Sequence, residues 1–100
     1  MNNAAQSIPQ TILEQLGNGT LAMLGAQNIL SDATGVRLQI RGSRKANRIH
    51  IDLDLASDTY TVTFHKVRGL DVREVASLSG VYADCLHAVI ESNTDLRTRL

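Results

Sequence analysis

Two histidines and an aspartate are the residues whose types and spacing come closest to a metal site in this chain. His50, Asp52 and His65 occupy alternating positions in two neighbouring runs, residues 48–55 and 59–65, where polar and apolar residues alternate. If the runs pair as an antiparallel hairpin, all three side chains lie on one outward face, where they could bind zinc or iron. A flat strand face offers neither a pocket nor neighbouring groups to orient the rings. The sequence therefore predicts exposed strand residues, with no metal and no cofactor.

The hairpin that carries these residues is the strongest structural signal in the chain. Its inward residues are odd-numbered on the first strand and even-numbered on the second, so the numbers of paired residues must add to an odd value. The tightest turn, within residues 56–59, pairs Leu55 with Tyr60 and, further along the strands, His50 with His65. The sequence thus predicts a direct cross-strand pair of histidines.

Helix signals lie near both ends of the chain. Ser7 has the position and side chain of an N-cap, and Gly17 is a typical helix end, which together predict a helix of about two turns. Thr20 is expected to cap a second short helix. Apolar residues at helical spacing predict a third helix over residues 81–90. Cys85 lies on its apolar stripe and is expected to be buried.

Strand signals lie between these helices. Alternation predicts a strand over residues 36–41, and the turn-forming residues 31–35 indicate a short strand before it. A further strand with a shifted phase is expected over residues 70–78, after a bulge or turn. The predicted fold is a single α+β domain over residues 1–100. It contains a four- or five-stranded antiparallel sheet, with two short N-terminal helices and a C-terminal helix on one face, and residues 1–6 form a loose end.

Several classes of protein are disfavoured by the sequence. It has no glycine-rich phosphate loop, serine elbow, metalloprotease helix or cysteine pair, so we expect no enzyme. Cys85 and His87 are two apart on a predicted helix and point away from each other, which makes them a poor nucleophile and base. A single cysteine and the lack of a long apolar run indicate a cytoplasmic protein without membrane contact.

Basic residues are concentrated in one segment of a chain whose formal net charge is zero. Residues 36–50 contain five Lys and Arg residues and no acid. Such a stripe serves either to bind an anionic partner or to keep a sheet edge from pairing with other chains. The segment lacks the aromatic residues on which single-stranded nucleic acids usually stack. The predicted binding residues for protein or nucleic acid are Arg37, Arg41, Arg44, Lys45, Arg48, His50 and His65.

Three stretches carry a resemblance to known proteins: TILEQLGNGTLAMLGAQNIL, DTYTVTFHKVRG and GVYADCLHAVIE. The chain resembles a group of small proteins from bacteriophages and other mobile elements, most of them known only as hypothetical proteins. The resemblance implies a compact α+β domain and provides no catalytic residues. Asn18 replaces a second glycine of the pattern, and the polar ending NTDLRTRL replaces a more aromatic one.

These observations predict a non-catalytic accessory protein of a phage or mobile element. It would act in the cytoplasm of a bacterial host by binding a host or defence-related protein, as a monomer or a small homo-oligomer. The alternative is a nucleic-acid-binding accessory protein that uses the basic segment Arg37–Arg48.

Overall fold

The computed structural model describes residues 7–98, in which helices at both ends flank a run of five strands. In chain order the elements are α1 (Ile8–Leu16), α2 (Asn18–Met23), β1 (Gln27–Ser31), β2 (Gly35–Gln39), β3 (Arg48–Asp54), β4 (Thr59–Arg68), β5 (Asp71–Val81), a 3-10 turn (Ala83–Cys85) and α3 (Leu86–Thr94). The loose end predicted for residues 1–6 lies outside the described residues.

The strands form one antiparallel sheet in the order β1-β2-β3-β4-β5, so every strand pairs with its neighbours in sequence. Three of the four connections between these strands have four residues or fewer, because antiparallel neighbours can be joined by tight turns. The predicted fold class, a single α+β domain with an antiparallel sheet and helices at both ends, is confirmed. Among residues 7–98, no helix combines the length and apolar character that a membrane span requires.

The core lies between the helices and one face of the sheet. The inward residues Ile51, Val62 and Phe64 are fully buried, as the alternation predicts, whereas Leu53 is only partly buried. The helices contribute apolar side chains from one stripe each, which is how an amphipathic helix covers a sheet. Buried helix residues in this core are Ile12, Leu16, Leu86 and Ile90.

The first helix begins and ends where its sequence predicts. The Ser7 Oγ accepts a hydrogen bond from the Gln10 backbone N–H at 3.2 Å, which satisfies one of the unpaired amides at the helix start. Gly17 ends the helix with φ +86°, a conformation that residues with a Cβ rarely adopt.

Thr20 does not cap the second helix, because α2 already begins at Asn18. Its buried hydroxyl instead donates to the Thr98 carbonyl at 2.8 Å and lies 3.1 Å from His87 Nε2. The same His87 nitrogen is 3.0 Å from the Leu16 carbonyl, which can only accept, so Nε2 carries the proton. This network joins α1, α2, α3 and the C-terminal segment and gives His87 a structural role.

The hairpin register differs from the predicted one by two residues. Opposite pairs have numbers that add to 113, so Leu53 faces Tyr60 and His50 faces Thr63. The predicted direct pair of His50 with His65 is therefore wrong, and Arg48 faces His65 instead. The odd sum is retained, so the two faces of each strand are as predicted.

The C-terminal helix starts later than its periodicity predicts. Val81 pairs with Tyr60 as the last residue of β5 and is buried, so residues 81 and 82 belong to the strand and its exit. Cys85 ends the 3-10 turn and is exposed, which corrects the expectation that it is buried. A 3-10 turn has three residues per turn, so an apolar stripe that assumes the 3.6 residues per turn of an α-helix does not extend through it.

The last hairpin consists of β4 and β5, which are joined by a two-residue turn at Gly69 and Leu70, and Gly69 has φ +57°. A bulge lies between the pairs of Phe64 with Ala76 and His65 with Glu74, where β5 has one extra residue. The predicted turn and phase shift are both present, but the strand runs over residues 71–81 rather than 70–78. β5 is an edge strand and is largely exposed.

Tyr60 links the sheet to the first helix, since its hydroxyl donates to Gln15 Oε1 at 2.7 Å. Burial raises the pKa of Tyr60 above its ordinary value of 10.0. The native state therefore holds this proton more tightly than the unfolded chain, and its contribution to stability is lost as the pH rises through and above about 10.

Replacing Tyr60 with phenylalanine is expected to lower the free energy of unfolding by about 0.5–1.5 kcal/mol at pH 7, because one partly buried hydrogen bond is lost. The difference from the wild type should shrink above about pH 10, where the wild type loses the proton-linked contribution. Urea denaturation at pH 7 and 10.5 measures both effects. The exposed Tyr82→Phe variant is the control, and an equal effect in both variants would contradict this role for Tyr60.

Candidate binding groove and histidine–carboxylate cluster

A groove of about 520 Å³ crosses the outward face of the sheet, opposite the helices. Its arginine and histidine side chains come from three adjacent strands, because the register sets Arg37 opposite His50 and Arg48 opposite His65. These four residues project from the same face, as the alternation predicts. The structure thus brings four of the seven predicted binding residues into one groove.

Apolar side chains from the outer strands flank this polar centre. Leu30 of β1 lies on one side, and Val67 and Val72 of the last hairpin lie on the other. Leu30 and Val72 are 65% and 60% exposed, so their apolar surface is available for contact. Together with Arg37, Arg48, His50 and His65, these three residues define what we call the sheet groove.

The other predicted binding residues lie elsewhere. Arg41 donates from a terminal guanidinium nitrogen to Gln27 Oε1 at 3.1 Å, and Lys45 forms an ion pair with Asp95 at 3.2 Å. Arg44 lies in the connection between β2 and β3, next to the last hairpin. The basic segment therefore does not act as one continuous stripe.

Arg44 belongs to a second basic surface, which we call the hairpin cluster. This cluster surrounds a depression of about 270 Å³ and is formed by Arg44, Lys66, Arg68, Arg73 and one acid, Asp71. Lys66 Nζ donates to the Arg44 carbonyl at 3.3 Å, and Arg73 pairs with Asp71 at 3.5 Å. The three hairpin cations are not among the binding residues predicted from the sequence, although Lys66, Arg68 and Arg73 are spaced around a Gly-containing turn that brings the two strands together.

A cluster of possible ligands for a cation adjoins the sheet groove and shares His50 with it. Asp32, His50 and Asp52 each offer one ligand atom, and these atoms lie within 4.8 Å of one another. The sequence predicts His65 as the neighbour of His50 and Asp52, whereas the third member of the cluster is Asp32 of the β1–β2 turn. The pairing of Gly35 with Asp52 brings this turn next to the C-terminal half of β3.

The Asp32 carboxylate is held in place by the turn it belongs to. Its Oδ1 accepts hydrogen bonds from the backbone N–H groups of Thr34 at 3.0 Å and Gly35 at 2.8 Å. These bonds, with that of Thr34 making the larger contribution, hold the pKa of Asp32 below its ordinary value against the opposing effect of burial. Its other oxygen, Oδ2, lies 3.8 Å from His50 Nε2.

Asp52 and His50 differ in how their polar atoms are paired. Asp52 Oδ1 accepts a hydrogen bond from the Thr34 hydroxyl at 2.7 Å. His50 Nε2 is buried and has no hydrogen-bond partner among the described residues. The turn signal Ser31–Gly35 predicts a side chain such as Asp32 that hydrogen-bonds its own backbone, but nothing in it shows which strand the turn will approach.

Comparison of the chain with family models, with curated proteins and with solved structures found no match.

Proposed function

We propose that this chain is a small non-catalytic accessory protein that binds another protein through the sheet groove. The observation that carries the proposal is the combination of four cationic or titratable side chains with apolar flanks in one groove. Arg37 and Arg48 are suited to pair with carboxylates, while Leu30, Val67 and Val72 offer apolar contact. The groove therefore favours an acidic protein segment that also carries apolar side chains.

The source and setting of the protein rest on the sequence resemblance. On that basis the protein belongs to a bacteriophage or another mobile element and acts in the cytoplasm of its bacterial host. The partner is then a host or defence-related protein. The exposed, single Cys85 agrees with a reducing compartment, because disulfides are rare there.

The test compares a groove variant with a matched variant outside the groove. Arg37→Glu/Arg48→Glu reverses two charges in the sheet groove, and Arg68→Glu/Arg73→Glu reverses two in the hairpin cluster. Each is used to capture proteins from a bacterial host lysate, and a protein retained by the wild type is then purified and its affinity measured. We expect at least a 10-fold weaker affinity for the groove variant, since losing a central charged contact costs about 2 kcal/mol or more.

The hairpin variant should bind that protein within about threefold of the wild type. If both variants lose the protein equally, attraction to overall charge explains the binding and the groove proposal fails. If the wild type retains no protein while a control bait recovers its known partner, the protein-binding function itself is contradicted.

Nucleic-acid binding is the second candidate, and the hairpin cluster is the observation that favours it. Arg44, Lys66, Arg68 and Arg73 surround one depression with a single acid among them. If three or four of these cations contact phosphates of a duplex, the logarithm of affinity should fall with the logarithm of salt concentration with a slope of about −3. Titration of duplex DNA from low salt upwards tests this.

The same two variants separate the candidates. Arg68→Glu/Arg73→Glu should abolish duplex binding, whereas Arg37→Glu/Arg48→Glu should lower the affinity for duplex DNA by a smaller factor. Lack of binding by the wild type at low salt would end this alternative, because counterion release makes such affinity strongest there.

A further inference from the structure

We propose that Asp32, His50 and Asp52 form a binding site for a divalent transition-metal ion such as Zn²⁺. The proposal goes beyond binding of a protein partner and does not depend on it. It assigns a ligand to a place where the β1–β2 turn meets the C-terminal half of β3.

The spacing of the three ligand atoms is close to what zinc requires. Ligands at 2.0–2.2 Å from a tetrahedral zinc ion are about 3.4 Å apart. His50 Nε2 and Asp32 Oδ2 are 3.8 Å apart, and all three ligand atoms lie within 4.8 Å of one another. Side-chain rotations that move each ligand atom by less than about 1 Å therefore bring the three atoms to coordination distance.

His50 Nε2 is the atom that points most directly to a ligand. It is buried and lacks a hydrogen-bond partner among residues 7–98, although buried polar atoms are nearly always paired. Asp32 Oδ2 at 3.8 Å is beyond hydrogen-bond distance. A metal ion between the ring nitrogen and the two carboxylates would satisfy it.

The two carboxylates are already oriented by neighbouring groups. Backbone N–H groups of Thr34 and Gly35 hold Oδ1 of Asp32, and the Thr34 hydroxyl holds Oδ1 of Asp52. Each aspartate therefore keeps a second oxygen for an ion. Such outer hydrogen bonds are the usual support of metal ligands, and they are what an isolated strand face was expected to lack.

The chemistry of the three ligands selects the class of ion. Imidazole nitrogen favours zinc and related transition metals, whereas Mg²⁺ and Ca²⁺ prefer sites made entirely of oxygen. Three protein ligands leave at least one position for water. The positive charge of Arg37 makes a small contribution to lowering the pKa of Asp32, and the same charge opposes the binding of a cation there.

The test uses the untagged full chain and zinc alone, measured by isothermal titration calorimetry and thermal denaturation. We expect one zinc ion per chain and a rise in Tm of about 10 °C or more at a zinc concentration 100 times the dissociation constant. Mg²⁺ and Ca²⁺ should cause no comparable rise. Asp32→Asn, His50→Gln and Asp52→Asn should each weaken zinc binding at least 10-fold.

The control variant is His65→Gln, which removes a histidine of the same sheet face outside the cluster and should bind zinc within twofold of the wild type. The Asp→Asn variants keep an oxygen for the hydrogen bonds of the turn, and circular dichroism checks that each variant folds. In the wild type, the ring ¹⁵N resonance of His50 Nε2 should shift on zinc addition. Lack of zinc binding, binding that His65→Gln abolishes, or an unchanged His50 resonance would each overturn the proposal.

Because no partner is present in these measurements, their failure would leave the proposed protein binding untouched. Equally, a groove variant that keeps its partner would contradict the proposed function and leave the metal site standing.

Discussion

Replacement of Phe64 with alanine is expected to lower the free energy of unfolding by about 3–5 kcal/mol, the usual cost of removing a buried aromatic ring. Phe64 is fully buried and lies on the interior strand β4, where Ile49 and Ala76 are its neighbours on the two adjacent strands. Removing its ring leaves a cavity that the surrounding core can close only in part, which adds to the apolar contact that is lost. A loss of this size is a large share of the 5–15 kcal/mol that stabilises a typical domain.

Urea denaturation followed by circular dichroism measures this loss. Leu70→Ala is the matched control, because Leu70 is fully exposed in the turn of the last hairpin and should change stability by less than about 0.5 kcal/mol. Phe64→Leu retains most of the apolar volume and should fall between the two. If Phe64→Ala and Leu70→Ala cost the same, the core does not lie where the structure has it.

The alternation of polar and apolar residues is sufficient to predict which side of each strand is buried. Val62 and Phe64 are buried, and His50 and His65 face outwards, because strand side chains alternate by two whatever the turn. The register requires more, since moving a strand by two residues keeps every side chain on its own face. Alternation thus left several registers open, and the tightest turn was the wrong one.

The actual turn is set by local hydrogen bonds of two aspartates. Asp54 Oδ1 accepts from the Ala56 N–H at 3.0 Å, and its carbonyl accepts from the Asp58 N–H at 2.8 Å. Asp58 has φ +56°, a left-handed conformation that aspartate tolerates better than most residues. These bonds take Leu55 out of the strand and leave it 67% exposed.

The histidine–carboxylate cluster could be predicted only in part. His50 and Asp52 are two apart on one strand, so alternation alone puts them on the same face. Asp32 joins them because β2 pairs with β3 with Gly35 opposite Asp52, and the connection over residues 40–47 is too irregular to fix that register from sequence. The hairpin cluster could likewise be predicted only in part, because Arg44 lies beside cations that are more than twenty residues away in the sequence.

At Gly35, β2 approaches β3 too closely for a side chain, and replacement with alanine is expected to destabilise the protein by about 1–3 kcal/mol through overpacking. A Cβ at this position would lie 2.5 Å from the Ile51 carbonyl oxygen and 2.8 Å from Asp52 Oδ1. The first contact is with backbone, which cannot rotate away as a side chain can, so β2 and β3 must separate locally. The clash also displaces Asp52 from the Thr34 hydroxyl, so zinc binding by the cluster should weaken in the same variant.

Gly19→Ala is the control that distinguishes this clash from a general effect of adding a methyl group. Gly19 lies inside α2, and nothing would meet its Cβ within 4 Å, so alanine there should raise stability by about 0.4–1 kcal/mol by restricting the unfolded chain. Urea denaturation of the two variants should therefore give changes of opposite sign. The two glycines differ mainly in whether neighbouring atoms leave room for a Cβ. A Gly35→Ala variant as stable as the wild type would therefore mean that β3 does not pass beside Gly35. In that case the β1–β2 turn would not bring Asp32 close to His50.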